Sequence, residues 1–301
     1  MNILKLIIIF LLLPLAIWAS PQKEASEQLN QFLPFLYTTT IGSAIRSVII
    51  KPWFSNVAGW YADSRLSKIH IPSFIKKYSI NMHETVKPNY KKYNSFNDFF
   101  TRKLNPKARP INSEQNSIVS PADGQIYIVQ NIQQKTKFPV KGKQFDLIAF
   151  LKNKELAQQF YGGTLAVIYL APWDYHRFHF PFNAIPSHAQ SITGKFESVS
   201  PFVFSFLQPL QENERQLIML KTTNNKDIAF VAVGALCVGR ITQTYTPFKQ
   251  YKKGEEAGYF SFGGSTVVLL FPPSTIKIND AIPLQTFAPI KMGKKIGSMI
   301  D

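Results

Sequence analysis

At 301 residues, with 45% hydrophobic and 14% aromatic residues that include 25 Phe, the chain can bury a sizeable core and falls outside the disordered class. Lys and Arg number 34 against 18 Asp and Glu; the resulting formal charge of +16 favours polyanionic partners, nucleic acid or an anionic lipid surface. No zinc finger, glycine-rich RNA-binding signature or arginine-rich arm is present, so the expectation is lipid and no nucleic acid, while a single cysteine, Cys237, excludes an intrachain disulfide and a multi-cysteine metal site.

Residues 1–20 form a signal-like or anchor segment. Ile3 to Trp18 is almost wholly apolar, Lys5 lies in the short leading region, and Ala19-Ser20-Pro21 follow. The run is shorter than the roughly 20 apolar residues of a membrane span, and Pro14 interrupts it. Ile17, two before Ala19, is not the small residue a cleavage site prefers, which leaves an uncleaved anchor open. Either reading gives a membrane-associated protein.

Residues 21–95 read as a helical, membrane-associating region. Ile41, Ala44, Ile45, Val48 and Ile49 recur at helical spacing, and Val57, Trp60, Tyr61 and Leu66 continue the pattern among Lys51, Arg65, Lys68, Lys76 and Lys77. Such a stripe suits an amphipathic helix in the headgroup layer of an anionic membrane, and equally one packed on the rest of the chain. Residues 96–301 read as a β-rich body. Strands are predicted over Gln125–Gln130, Leu165–Ala171, Ile228–Thr242 and Thr266–Phe271. Cys237, in an apolar run from Ala232 to Gly239, is expected as a small buried strand residue. The fold class is therefore α+β, an N-terminal amphipathic helical region followed by a β-rich body.

Three loop segments next to strands concentrate reactive groups. Ser120-Pro121-Ala122-Asp123-Gly124 is a turn presenting one carboxylate. Pro172-Trp173-Asp174-Tyr175-His176-Arg177-Phe178-His179 follows a predicted strand and holds two of the five histidines. A zinc site needs at least three protein ligands and the remaining histidines, His70, His83 and His188, stand alone, so acid–base work by the imidazoles is the expectation, and no metal. Gly258 to Phe271 runs through Gly263-Gly264-Ser265, where a hydroxyl follows a glycine carbonyl with wide backbone freedom. With a base and oxyanion donors, such a hydroxyl could attack its own preceding carbonyl; otherwise the segment is a glycine turn feeding a strand. Asp, His and Ser in separate loops are also the parts of a triad.

Together these segments resemble the phosphatidylserine decarboxylase proenzymes. The likeness runs from about Gly42 to the C-terminus and also includes Ala58-Gly59-Trp60-Tyr61-Ala62-Asp63, Ser95 to Leu104, Ala108-Arg109-Pro110-Ile111 and Lys253-Gly254-Glu255-Glu256-Ala257-Gly258. The resemblance implies that Asp123 orients His179, that His179 serves as base toward Ser265, and that Ser265 attacks the Gly264 carbonyl. β-Elimination would then separate a β chain, 1–264, from an α chain, 265–301, whose first residue becomes a covalent pyruvoyl cofactor. It further implies that this group forms a Schiff base with the serine amine of phosphatidylserine, that loss of carbon dioxide gives phosphatidylethanolamine, and that His176 acts in this second reaction. A phosphatidylserine-bearing membrane surface, the paired β and α chains and a homodimer are the partners it suggests. Many bacterial members carry Leu-Gly-Ser-Thr at the cut, where this chain has Gly263-Gly264-Ser265-Thr266. Rival readings are a pyruvoyl decarboxylase of a soluble amino acid, a serine hydrolase that uses Asp123, His179 and Ser265 without cutting itself, and a non-catalytic membrane adaptor.

Overall fold

A computed structural model describes residues 32–138, 143–236 and 240–300. The leader-like segment 1–20 and Cys237 lie outside the described residues. Within them the chain is α+β, a mostly helical N-terminal region followed by a β-rich body that also holds short helices over Leu147–Leu151, Lys154–Gln158 and Pro209–Glu212.

Residues 32–38 are helical, followed by α1 (Thr40–Ile49), α2 (Pro52–Asp63), a 3-10 turn over Arg65–His70 and α3 (Ile71–Tyr78). Local signals explain the boundaries. Thr39 caps α1 by accepting from the Gly42 N–H at 3.0 Å, proline opens α2 and α3 where a missing N–H costs nothing, and Ser79 ends α3 in the left-handed conformation. The apolar stripe of α1 divides between two environments. Ile49 packs with Leu36 and Phe54, while Ile41 and Val48 stay exposed. The helices dock on the body through Tyr37, whose hydroxyl donates to Glu197 Oε2 at 2.8 Å, and through the Phe196 N–H on the Ile50 carbonyl at 3.0 Å.

Helix α4 (Phe96–Phe100) is capped by Ser95, which accepts from the Asp98 N–H at 3.1 Å. It drives Phe96, Phe99 and Phe100 into a cluster with Ile71, Phe74 and Tyr93. The strands that follow are β1 (Ser117–Val119), β2 (Gly124–Gln130), β3 (Lys135–Lys137), β4 (Gln144–Asp146), β5 (Thr164–Leu170), β6 (Arg177–His179), β7 (Ala184–Pro186), β8 (Gln190–Ile192), β9 (Arg215–Thr222), β10 (Asp227–Gly234), β11 (Ile241–Gln243), β12 (Glu256–Phe260), β13 (Ser265–Phe271), β14 (Ile276–Ile278), β15 (Ala288–Ile290) and β16 (Lys295–Met299). The central antiparallel sheet has the order β15-β2-β5-β13-β10-β9-β7, with β8 also paired to β9.

Side chains alternate across a strand, and both faces of this sheet are buried. Val267, Leu269 and Phe271 of β13 join Ile126, Ile168 and Phe230 in one cluster, while Val268 and Leu270 join Val129, Val167 and Val231 in the other. Ser265 shares the parity of Val267 and so faces the first cluster. The strand expected over Ile228–Thr242 is two strands: β10 lies between β9 and β13, whereas β11 pairs with β12 in a separate sheet of order β11-β12-β6. Apolar composition could not register that change of partner.

Candidate active site

Ser265 is the first residue of β13, paired with Gly234 on one side and Leu170 on the other. It is fully buried. Gly263, two residues earlier, has φ +136°, a conformation essentially reserved for glycine. Gly264 does not take a positive φ, so the glycine freedom expected at the carbonyl donor resides one residue upstream. A Cβ on Gly264 would meet Val199 Cγ2 at 3.8 Å and Ala235 Cβ at 3.9 Å, ordinary contacts. The preceding backbone is held from α4: the Phe262 N–H donates to Asn97 Oδ1 at 3.0 Å, and Asn97 Nδ2 donates to Asp63 Oδ1 at 2.6 Å.

The imidazole on the serine belongs to His176. Its Nδ1 lies 3.2 Å from Ser265 Oγ and its Nε2 lies 3.0 Å from the Ala171 carbonyl. A carbonyl only accepts, so Nε2 carries the proton and Nδ1 is free to accept from the serine hydroxyl. Phe100 stacks on the ring at 4.0 Å between centroids. Burial, reinforced by the Arg102 charge, pushes the His176 pKa down to about 3, which keeps the ring neutral.

His179 has other partners. Its Nδ1 lies 3.0 Å from the Gly254 carbonyl, which makes Nδ1 the donor, and its Nε2 lies 3.1 Å from the Tyr175 hydroxyl. Burial lowers its pKa against the opposing effect of the Gly254 carbonyl and the Glu256 charge. Asp123 is almost completely buried, and Arg109 grips it, Nε to Oδ1 at 2.9 Å and Nη2 to Oδ2 at 2.6 Å. The Met292 N–H donates to Oδ1 at 2.9 Å, and Lys291 Nζ reaches Oδ2 at 3.3 Å. Burial alone would raise this carboxyl, but Arg109 and Lys291 outweigh it and hold it below the usual carboxylate range. The turn comes this close because Gly124, at φ +149°, has no Cβ to strike the Tyr169 carbonyl.

The four residues expected from the sequence, Asp123, His176, His179 and Ser265, are all buried here. The continuous Asp123–His179–Ser265 hydrogen-bond chain is not formed. Ser265 is paired with His176, and Asp123 with Arg109; the Asp123 charge still acts on both imidazoles. The physical reason is spacing, because residues three apart in extended chain project to opposite sides, so in this conformation the two rings meet different partners. Sequence reasoning gave no role to Arg102, Arg109, Phe100, Tyr175, Asp174 or Lys291. Arg102 and Arg109 lie in two of the stretches that carry the resemblance, which was the available signal. Among the described residues no group of three His, Cys, Asp or Glu side chains is placed to hold a metal.

A neutral imidazole on a buried serine, with the charge of a buried carboxylate acting on it, is an arrangement that can support chemistry by a serine hydroxyl. The model of the family described as phosphatidylserine decarboxylase matches residues 96–298. Relatives named phosphatidylserine decarboxylase proenzyme include that of Clostridium novyi (strain NT), 40% identical over 278 residues, covering 90% of this chain and 94% of the relative. That of Clostridium perfringens (strain ATCC 13124) is 39% identical, covering 89% and 93%, and that of Clostridium tetani (strain Massachusetts / E88) 38%, covering 89% and 92%. This chain belongs to the phosphatidylserine decarboxylase family.

Proposed function

We propose that the chain is a precursor that cuts itself between Gly264 and Ser265 and, once cut, decarboxylates phosphatidylserine to phosphatidylethanolamine. The observation that carries the proposal is a fully buried serine hydroxyl directly after a glycine carbonyl and 3.2 Å from an acceptor imidazole. Attack of Ser265 Oγ on the Gly264 carbonyl carbon forms an ester as the amide C–N bond breaks. Removal of the Ser265 Cα proton then expels the Gly264 carboxylate and leaves a dehydroalanine. Its imine tautomer takes up water and releases ammonia, so the α chain begins with a pyruvoyl group.

The surroundings fit that group. Ser265 stands at the start of a strand whose residues are all buried, the space around Gly264 is uncrowded, and His176 lies on the side chain. When present, the keto group supplies an electron sink for loss of carbon dioxide from an amino acid. His176, whose ring touches the Ser265 hydroxyl, is assigned to orienting that hydroxyl and later to handling a proton at the substrate. Asp123 and His179 are assigned to maturation, which requires His179 to exchange its Tyr175 contact for Ser265.

The lipid substrate accords with the exposed apolar residues of the helical region. Trp60 is 77% exposed, Leu66 73% and Ile69 72%, with Lys51, Arg65 and Lys76 also on the surface. Rings and aliphatic chains of this kind insert at the acyl boundary while the cations meet anionic headgroups. Among the described residues no helix is long and apolar enough to cross a membrane.

Intact mass spectrometry of the purified protein tests the proposal. Two fragments are expected, the smaller beginning at 265 without a free amino terminus, together with release of carbon dioxide from phosphatidylserine in vesicles. A single chain with an ordinary serine at 265 contradicts it, and carbon dioxide released from soluble amino acids but not from vesicles favours the soluble-substrate rival.

A further inference from the structure

Arg102 follows α4 and is 5% exposed. Its Nη2 donates to the carbonyls of Trp173 at 3.1 Å and Asp174 at 3.3 Å, in the loop that leads into His176. The Phe99 ring lies 5.3 Å from the guanidinium carbon. Nε and Nη1 are buried and have no acceptor among the described residues. Asp123 and Asp174 act on Arg102 through their charges without a hydrogen bond to it. Burying a guanidinium with two of its three nitrogens unused is costly, and such donors point to an anion that completes them. The Arg102 charge reaches His176, which touches Ser265, and Lys291 beside Asp123 is 57% exposed, a second cation toward solvent.

Resting on the reading that phosphatidylserine is the substrate, we propose that Arg102 is a substrate-binding residue whose unused donors take the phosphodiester of the lipid headgroup in the cleaved protein. The headgroup carries two anions, and the chemistry separates them. The carboxylate loses its charge as carbon dioxide departs, so a guanidinium on it would stabilise the ground state more than the transition state and slow the reaction. The phosphodiester keeps its charge throughout, so gripping it strengthens binding without hindering the chemical step. Arginine suits phosphate oxygens because its planar donors match their spacing. In the uncleaved chain Ser265, His176 and Arg102 are all shut off from solvent; breaking the Gly264–Ser265 bond frees a chain end beside them.

The experiment compares full-length wild type with Arg102→Gln and Arg102→Lys, with the cut scored by mass and decarboxylation scored on phosphatidylserine vesicles. Both variants are expected to cut themselves; KM rises roughly 10- to 100-fold for Arg102→Gln, less for Arg102→Lys, with kcat within about threefold. Unchanged KM, or a kcat that falls alone or rises, overturns the proposal, since the last outcome places Arg102 on the carboxylate. Should the variants fail to cut, wild type carries the test: phosphatidylserine methylated to a neutral phosphotriester should show a KM raised by at least about tenfold, and equal KM values overturn the proposal. Inorganic phosphate that competes as well as glycerophosphoserine would assign the donors to free phosphate and overturn the headgroup assignment. Wild type that neither cuts itself nor decarboxylates phosphatidylserine refutes the underlying function, an outcome distinct from loss of the Arg102 effect alone.

Discussion

Ser265, His176 and Asp174 show how burial sets chemistry one side chain at a time. Ser265→Ala should leave one uncut chain of full length and no decarboxylation, read by mass and by carbon dioxide release. Asp123→Ala and His179→Ala should accumulate uncut chain, whereas His176→Ala should cut and then decarboxylate poorly; uncut His176→Ala with normally cut His179→Ala would give His176 the maturation role instead. Gly263→Ala should slow the cut, because alanine is strained at φ +136°, while Gly264→Ala meets only ordinary contacts and should retain more of it. Acid stability follows from two opposed shifts. An unfolded histidine takes up a proton below about pH 6.5, whereas folded His176 does so only near 3, so its contribution is complete above 6.5 and is lost as pH falls, at up to ~1.4 kcal/mol per pH unit. Burial holds the Asp174 carboxyl near 6 against about 3.9 unfolded, so its contribution is present below 3.9 and is lost as pH rises through 6. Urea unfolding of uncut Ser265→Ala protein between pH 4 and 6 should therefore show a steeper acid loss with Asp174→Asn added and a shallower one with His176→Gln added.

At the scale of elements, α4 joins the helical region to the site. Phe100 stacks on His176, and Phe262 lies edge-on to Phe96 at 5.0 Å and to Phe100 at 5.3 Å. Phe100→Ala should cost about 3–5 kcal/mol of stability and weaken decarboxylation, because it empties the face against which the His176 imidazole rests. Helix α2 and the 3-10 turn after it present Trp60, Leu66 and Ile69 outward, and their replacement should be felt elsewhere. The double substitution Trp60→Ser and Leu66→Ser is expected to reduce co-sedimentation with anionic vesicles several-fold while self-cleavage stays normal. Equal sedimentation would return this face to a role other than membrane contact.

For the whole molecule, the proposed cut falls at the start of a strand paired on both sides. The segment 265–301 contributes β13, bonded on both sides by β5 and β10 in the middle of the central sheet, together with β15 against β2 and β16 between β1 and β14. The two chains should therefore co-elute in native size-exclusion chromatography and separate only in denaturant. The sequence by itself determined the helical region followed by a β-rich body and the family, and singled out Asp123, His176, His179 and Ser265 as candidates, because these depend on composition, local periodicity and short motifs. Only the tertiary structure decided which imidazole meets the hydroxyl, that Arg109 rather than histidine holds Asp123, that Arg102 is buried with donors to spare, and that the apolar run from Ile228 divides between two sheets. Those outcomes depend on contacts between segments distant along the chain, where strand parity and burial choose the partners and neighbouring residues carry no record of the choice.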